Sequence, residues 1–466
     1  MQEHNHNIED DHELKELIAR FEASLSNGSV LFFDVDEFED IIDYYMDFGL
    51  TQKARMALHH AFRIYPGSSR LNIKRAQILA YQNKRERALD ILSEMEVNEP
   101  ENTDINLTKA HIYSQMQLYD KSIQEYIKAA ESDDQDLEDI FISIAFEYEN
   151  KGDFDNAIEY LHRALQINPD NESVIFELSY CHELNNTPEA AIPLFNQYLD
   201  RNPYSALAWF NLGVTYSQME RWQESIDAYD YVIAIDEKFA SAYFNKANAL
   251  GGLGLYEKAI ETYLETFKHE EPDGITWYYI GECYEKLERF KEAIDHYLKA
   301  VSMNESHIDA WIGIGSCYQM MGNYPLAVQY LNIAIEKDVD HAEAWYMLGD
   351  VSTETGDLAR ALDCYQMVVT LDPQREDIWV DLCDCHLGLE NPSDAQAALE
   401  DGLTRFPGNA PMLYRQVVAL FRSGMIKESM DVLQRVFAEH PTEAASMFAI
   451  APELRDHSDV IRILSA

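Results

Sequence analysis

Residues 342–375 read AEAWYMLGDVSTETGDLARALDCYQMVVTLDPQR. Apolar residues recur three and four apart on both sides of Gly356, as two helices with one buried stripe each require. Gly356 lies mid-way, where a first helix should end and the chain reverse. Pro373 lies near the end, where it stops a second helix. The stretch therefore predicts a helical hairpin.

The same pattern recurs outward in 34-residue steps, and a search for such a period precedes any other reading. Units start at Val35, Ser69, Thr103, Glu138, Glu172, Ala206, Ala240, Gly274, Ile308, Ala342, Glu376 and Ala410, the third being one residue longer within the acidic run Glu131 to Asp139. The twentieth place is Ala or Ser in all twelve units, Ala293 and Ala361 among them. The eighth is small in most, as in Gly213, Gly281, Gly315 and Gly349. Small side chains at both places let two helices approach closely, so both columns should be pressed between helices. The fourth place is bulky in most units and holds five of the six tryptophans: Trp209, Trp277, Trp311, Trp345 and Trp379. The twenty-fourth is always Leu, Phe or Tyr. Gly49, Gly152, Gly254, Gly322 and Gly424 mark further mid-unit reversals.

These residues resemble the tetratricopeptide repeat family, whose pattern of Trp, Leu-Gly, Tyr, Ala, aromatic and Pro is matched by Trp209, Leu212, Gly213 and Tyr216, and by Trp345, Leu348, Gly349, Ala361, Tyr365 and Pro373. The resemblance covers about nine-tenths of the chain. It implies an all-α fold: a right-handed superhelical solenoid of stacked antiparallel helical hairpins whose first helices line a concave groove. Residues 1–34 are then an acidic tail and capping helix with a stripe of Leu14, Leu17, Ile18, Phe21 and Leu25; residues 35–443 hold twelve repeats; residues 444–466 form a partial thirteenth repeat and a cap using Met447, Ile450, Leu454, Ile461 and Leu464. A single hairpin cannot bury its apolar face alone, so stability is a chain of neighbour contacts.

Composition limits what such a scaffold can hold. With 36 basic against 83 acidic residues the net charge is −47, which argues against nucleic acid and anionic membranes as partners and favours basic protein segments. Met1 to Asp11 is polar, so no secretory signal is expected. Six scattered cysteines suit a reducing compartment, and the cytoplasm is the expected location.

The resemblance also implies that the fifth and ninth places face the groove. The fifth includes Phe176, Phe210, Phe244, Tyr278 and Tyr346; the ninth includes Tyr180, Asn248, Glu282, Asp350 and Asp384. With Asn211 and Asn245 at the sixth place, these residues form the expected ligand groove, an aromatic floor passing into an acidic wall. Aromatics offer contact area at low entropic cost and carboxylates reward cations, so the expected occupant is a protein or peptide segment with apolar anchors and Lys or Arg, lying along units five to eleven. The carboxylate clamp of chaperone adaptors is absent, its places being held by Phe210, Val214, Asn245, Ile275 and Tyr279. Only Asn211 and Asn245 could start an asparagine ladder of the kind in O-GlcNAc transferase.

Catalytic chemistry finds no foothold. Gly251-Gly252-x-Gly254 falls across a predicted turn and reads as a helix end, not a phosphate cradle. Cys383, Cys385 and His386 with Asp381 and Asp384 diverge around one helix and cannot close on zinc together, and Cys181, Cys283, Cys317 and Cys385 share a tenth place suited to core packing. His4, His6 and His12 read as surface residues of the tail. No cofactor or metal is expected. A non-catalytic scaffold or adaptor is the leading expectation; a holdase for basic or amphipathic clients and self-assembly into a homo-oligomer are the alternatives, with an enzyme disfavoured.

Overall fold

The computed structural model describes residues 2–27, 32–132 and 136–465, with the side chains of 2–12, 26 and 27 outside the description. The side chains of His4, His6 and His12 and part of the acidic run after Glu131 therefore lie outside it. Every described secondary-structure element is helical, and the chain divides into two compact units, residues 1–231 and 232–466, at a boundary inside the helix Trp222–Ile235.

Each unit is a stack of antiparallel hairpins in the predicted frame. In the first unit the hairpins pair Val35–Asp47 with Thr51–Ile64, Ser69–Tyr81 with Arg85–Asn98, Thr103–Gln115 with Tyr119–Ser132, Leu137–Lys151 with Phe154–Ile167, and Glu172–Leu184 with Ala191–Arg201. In the second unit Ala240–Gly252, Gly274–Lys286, Ile308–Met320, Ala342–Glu354, Ile378–Gly388 and Ala410–Arg422 are the first helices of six more. Seven of the first helices start on side-chain caps: Asp34, Ser68, Asn102, Asn171, Ser205, Asp273 and Asn409 each accept a backbone N–H from the first turn. Asp34 and Glu37 cap each other's backbone reciprocally.

The two small columns carry the crossings. All twelve residues of the twentieth place, from Ala54 to Ser429, are 0% exposed, Ala293 and Ala361 included. Where that residue is Ser, its hydroxyl donates to the carbonyl of the eighth place: Ser122 to Ala110 at 2.9 Å, Ser225 to Gly213 at 2.9 Å, Ser429 to Val417 at 2.7 Å. A buried hydroxyl needs such a partner, which explains why Ser and Ala alternate there without cost. Opposite lies the twenty-fourth-place ring: a Cβ added to Gly213 would sit 2.7 Å from the Tyr229 ring, and one added to Gly281 2.7 Å from Tyr297.

The mid-hairpin reversal is left-handed in every unit. Gly49, Gly152, Gly254, Gly322, Gly356 and Gly424 have positive φ, and so do Asn83, Gln117, Asn186, Glu220, Glu288 and Glu390 at the same fifteenth place. Glycine adopts this conformation freely; a side chain there costs about 1 kcal/mol or more. Gly254 thus ends a helix, as its sequence context predicts.

Fourth-place tryptophans are half-buried apart from Trp379, which is buried. Their indole N–H explains the choice of Trp over Phe. It donates to the carbonyl six residues upstream: Trp209 to Pro203, Trp311 to Glu305, Trp345 to Val339 and Trp379 to Pro373. Each ring thereby ties the start of its helix to the loop before it.

At the amino end Leu17, Ile18 and Phe21 of the helix Gln2–Asn27 are buried against Phe33, Phe38 and Tyr45. At the carboxy end Met447, Leu454 and Val460 are buried while Ile461 is exposed, so the last helix, Ser458–Leu464, turns Val460 inward instead of the expected Ile461. Among the described residues no helix is long and apolar enough to cross a membrane.

Candidate functional site

In the first unit, Glu39, Ile73 and Leu107 of the fifth place, Lys74 and Thr108 of the sixth, and Gln77 and His111 of the ninth line one concave pocket of ≈ 310 Å³. Three successive first helices, stacked in register, turn these places to the same side. The pocket's cations are already matched: Arg70 pairs with Asp36 and Glu39, and Lys74 with Asp43 at 2.6 Å.

Further along the same unit the fifth place becomes aromatic. Phe176 packs on Phe195 with ring centroids 6.3 Å apart, and Phe210 on Tyr229 at 5.7 Å. The second unit repeats the device in Phe244 on Tyr263 at 5.6 Å, Tyr278 on Tyr297 at 5.7 Å and Tyr346 on Tyr365 at 6.0 Å. Each fifth-place ring leans on the twenty-fourth-place ring of its own hairpin and is half-buried, so the row is not the bare apolar floor that the sequence pattern suggested.

The ninth and twelfth places supply partners for the phenols beneath. Tyr263 donates to Asn248, and Tyr365 donates to Asp350 at 2.7 Å. Tyr297 donates to Glu285 at 2.7 Å, and Glu285 also accepts from Ser316 of the next hairpin at 2.8 Å. Burial raises the Asp350 and Glu282 carboxyls above their ordinary range against the opposing hydrogen bonds from Tyr365 and Tyr278. Asp381, which accepts from Tyr346 at 3.4 Å, is pushed up to about 6, chiefly by burial and then by the charges of Asp350 and Asp384. Among the described residues no Lys or Arg forms an ion pair with Glu282, Asp350 or Asp381.

Other residues expected in the groove are already engaged. The Arg415 guanidinium grips Asp384 with two bonds of 2.8 and 2.6 Å, so that carboxylate is matched from within the chain. The Arg375 guanidinium sits 3.5 Å above the Tyr346 ring and covers one of its faces. The Asn211 amide folds back onto the Leu207 carbonyl at 2.9 Å, while Asn245 is half-buried on the next first helix. Tyr180 is 51% exposed, and so is its ninth-place neighbour Phe146, at 44%. The six cysteines are free and buried. Among the described residues one group of potential metal-binding atoms, from Glu149, Glu177 and Cys181, falls within 4.8 Å.

Tetratricopeptide repeat models match residues 103–136, 240–265, 275–307, 318–376, 352–404 and 384–444. The chain is a tetratricopeptide repeat protein. A model of subunit 3 of the anaphase-promoting complex, cyclosome, matches residues 150–232 of this repeat array. Among solved structures the array is similar to YrrB, described as a TPR protein with an unusual peptide-binding site, at 22% identity and TM-score 0.33 over 40% of this chain and 95% of that one. It is also similar to a tetratricopeptide repeat protein from Parabacteroides merdae, at 14% identity and TM-score 0.44 over 53% of this chain and 97% of that one. A third likeness is to pilF of Pseudomonas aeruginosa, at 15% identity and TM-score 0.38 over 46% and 96%. No curated protein matches significantly.

As a repeat array of this kind the chain is a protein-interaction scaffold. Sequence reasoning passed over Glu149 and Glu177, weighed Asp381 only as a metal-like neighbour of Cys383, and left Phe146 in the ninth-place row without singling it out. Asp381 carried a signal, since the sixth place was already scrutinised for asparagines and shares a face with the ninth. Glu177 carried the same sixth-place signal, but Glu149 carried none, because only stacking joins the end of one first helix to the middle of the next.

Proposed function

We propose that this tetratricopeptide protein is a non-catalytic adaptor that holds a segment of another protein against the first helices of its second unit. Apolar side chains of the partner rest on Phe244, Tyr278 and Tyr346, and its Lys or Arg residues meet Glu282, Asp350 and Asp381. The observation that carries this reading is the state of those three carboxyls: half-buried, raised above their ordinary range and not ion-paired by the chain's own cations. Buried carboxylates left so are costly, and an arriving cation recovers that cost. A reducing, cytoplasmic setting is part of the reading and is supported by six free, buried thiols.

The test is affinity capture with cross-linking, read by mass spectrometry, on the parent and on a Glu282→Gln/Asp350→Asn/Asp381→Asn variant. These changes remove charge while keeping shape, so the circular-dichroism spectrum should not move. Partners cross-linked to residues 274–388 should be retained roughly tenfold less or worse. An unchanged partner set at unchanged yield overturns the reading.

A further inference from the structure

Phe146 and Tyr180 occupy the ninth places of adjacent first helices, Leu137–Lys151 and Glu172–Leu184, and both rings are exposed. Each helix carries a carboxylate three residues from its ring, Glu149 after Phe146 and Glu177 before Tyr180, and that spacing puts ring and carboxylate on one face. Glu149 and Glu177 bring their oxygens within 4.8 Å of each other and of the Cys181 sulfur. The Cys181 thiol donates to Glu149 Oε1 at 3.3 Å. No Lys or Arg among the described residues forms an ion pair with either carboxylate.

We infer that this aromatic face of the first unit is a docking site for a partner protein segment that seats one Arg or Lys between Glu149 and Glu177 and lays flanking apolar side chains over Phe146 and Tyr180. The inference rests on the reading of the chain as a scaffold and adds a second, separate point of recognition to it. Charge selects the occupant. Two facing carboxylates without a cation repel an acidic segment and gain nothing from a neutral one, and a net charge of −47 extends the same preference to longer range. The rings select a polypeptide over a bare ion, because a cation alone would leave both aromatic side chains in water. Their π-faces also accept a guanidinium.

Proton linkage marks the site. Burial, then the Glu177 charge, holds the Glu149 carboxyl up at about 7. The groups acting on it, Glu177 and Cys181, both come from the neighbouring first helix, the thiol opposing the rise by its hydrogen bond. A free face therefore carries a proton near neutrality that a docked cation displaces, so affinity climbs as pH rises through this value and levels off above it.

Full-length protein is titrated, by fluorescence anisotropy, with a labelled peptide of alternating leucine and arginine and with its citrulline counterpart. The titrations use the Glu282→Gln/Asp350→Asn/Asp381→Asn background, in which the second unit's row is disarmed. The arginine peptide should bind about tenfold more tightly at about pH 8 than at about pH 6, and the citrulline peptide should bind weakly at both. Glu149→Gln should weaken binding and flatten its pH dependence. Phe146→Ala with Tyr180→Ala should weaken binding and keep that dependence. Equal binding of the citrulline peptide, or a pH profile untouched by Glu149→Gln, overturns the inference. If the arginine peptide binds the parent chain but not the disarmed background, it sits on the second unit's row: the inference then falls and the adaptor reading stands.

Discussion

Hairpin three, in the first unit, and hairpins eight and nine, in the second, fill the same slot between their helices with opposite chemistry. In hairpin eight Trp277 stacks on His296 with centroids 5.1 Å apart, and His296 stacks on Tyr284 at 5.2 Å. Hairpin nine repeats this with Trp311, Tyr330 and Tyr318, at 6.0 and 5.5 Å. In hairpin three the fourth and twenty-third places are Asn106 and Glu125. There the buried Lys109 ammonium donates to Glu96 at 2.8 Å and Glu125 at 3.1 Å, and Lys128 reaches the same two carboxylates. Yet Ala110 and Ser122, at the helix crossing of hairpin three, are as fully buried as their counterparts elsewhere. Backbone approach at the small columns thus sets the hairpin, and the neighbouring slot accepts either filler, although Asn106 Oδ1, Glu125 Oε2 and His296 Nδ1 are buried there without a hydrogen-bond partner. The aromatic stack is held by dispersion, and the ion cluster by pairing each of its charges with an opposite one.

The sharpest way to break this equivalence is Lys109→Met, which removes the buried cation and leaves Glu96 and Glu125 to Lys128 alone, and should cost about 3 kcal/mol. Hydrogen exchange of the Thr103–Gln115 amides reads it as a fall in local opening free energy. Next comes Trp311→Ala in hairpin nine. A fully buried aromatic deletion would cost about 3–5 kcal/mol, but Trp311 is half-buried, so about 2–3 kcal/mol is expected across Ile308–Met320. Adding Glu125→Leu to Lys109→Met should recover stability to within about 1 kcal/mol of the parent, since an apolar filler replaces the buried pair. No recovery would show that the ions hold the hairpin in a way aromatics cannot.

Acidification should take the two slots through different steps. Burial holds the His296 imidazole down to about 4, so its hairpin binds fewer protons folded than unfolded and loses stability as pH falls from about 6.5 towards 4. Glu96 is depressed, first by its hydrogen bond from Lys109, so its contribution is present above the ordinary carboxyl range and fades as pH drops through the depressed value. His111, on Thr103–Gln115, is likewise held down by burial, so exchange should quicken in both Gly274–Lys286 and Thr103–Gln115 as pH falls below about 6.5, and again in Thr103–Gln115 alone as Glu96 protonates. The smallest effect should be alike in both: Gln117→Gly in hairpin three and Glu288→Gly in hairpin eight each relieve a left-handed side-chain residue and should add about 0.5–1 kcal/mol. Unequal gains would mean that slot chemistry reaches the turn.

Much of the fold was legible because its signals are local and repeated. Ala or Ser at every twentieth place and glycines such as Gly356 act through sterics within one hairpin, and twelve copies leave no second frame. The groove was legible only in outline. Phe210 and Phe244 were read as a row of fifth-place rings, but their reliance on Tyr229 and Tyr263 depends on how far each first helix leans over its second. Asp384 looked open until Arg415, in the following hairpin, took it.

By itself the amino-acid sequence determined the period, the helix ends and the two columns where backbones meet, since each follows from side-chain size and backbone sterics within one unit. Only the tertiary structure decided which carboxylates are matched by the chain's own cations, as Asp384 is by Arg415, and which form no ion pair within the chain's described residues. Those outcomes belong to helices stacked one repeat apart, where the position of a neighbour, not the chain's own propensity, sets the energy.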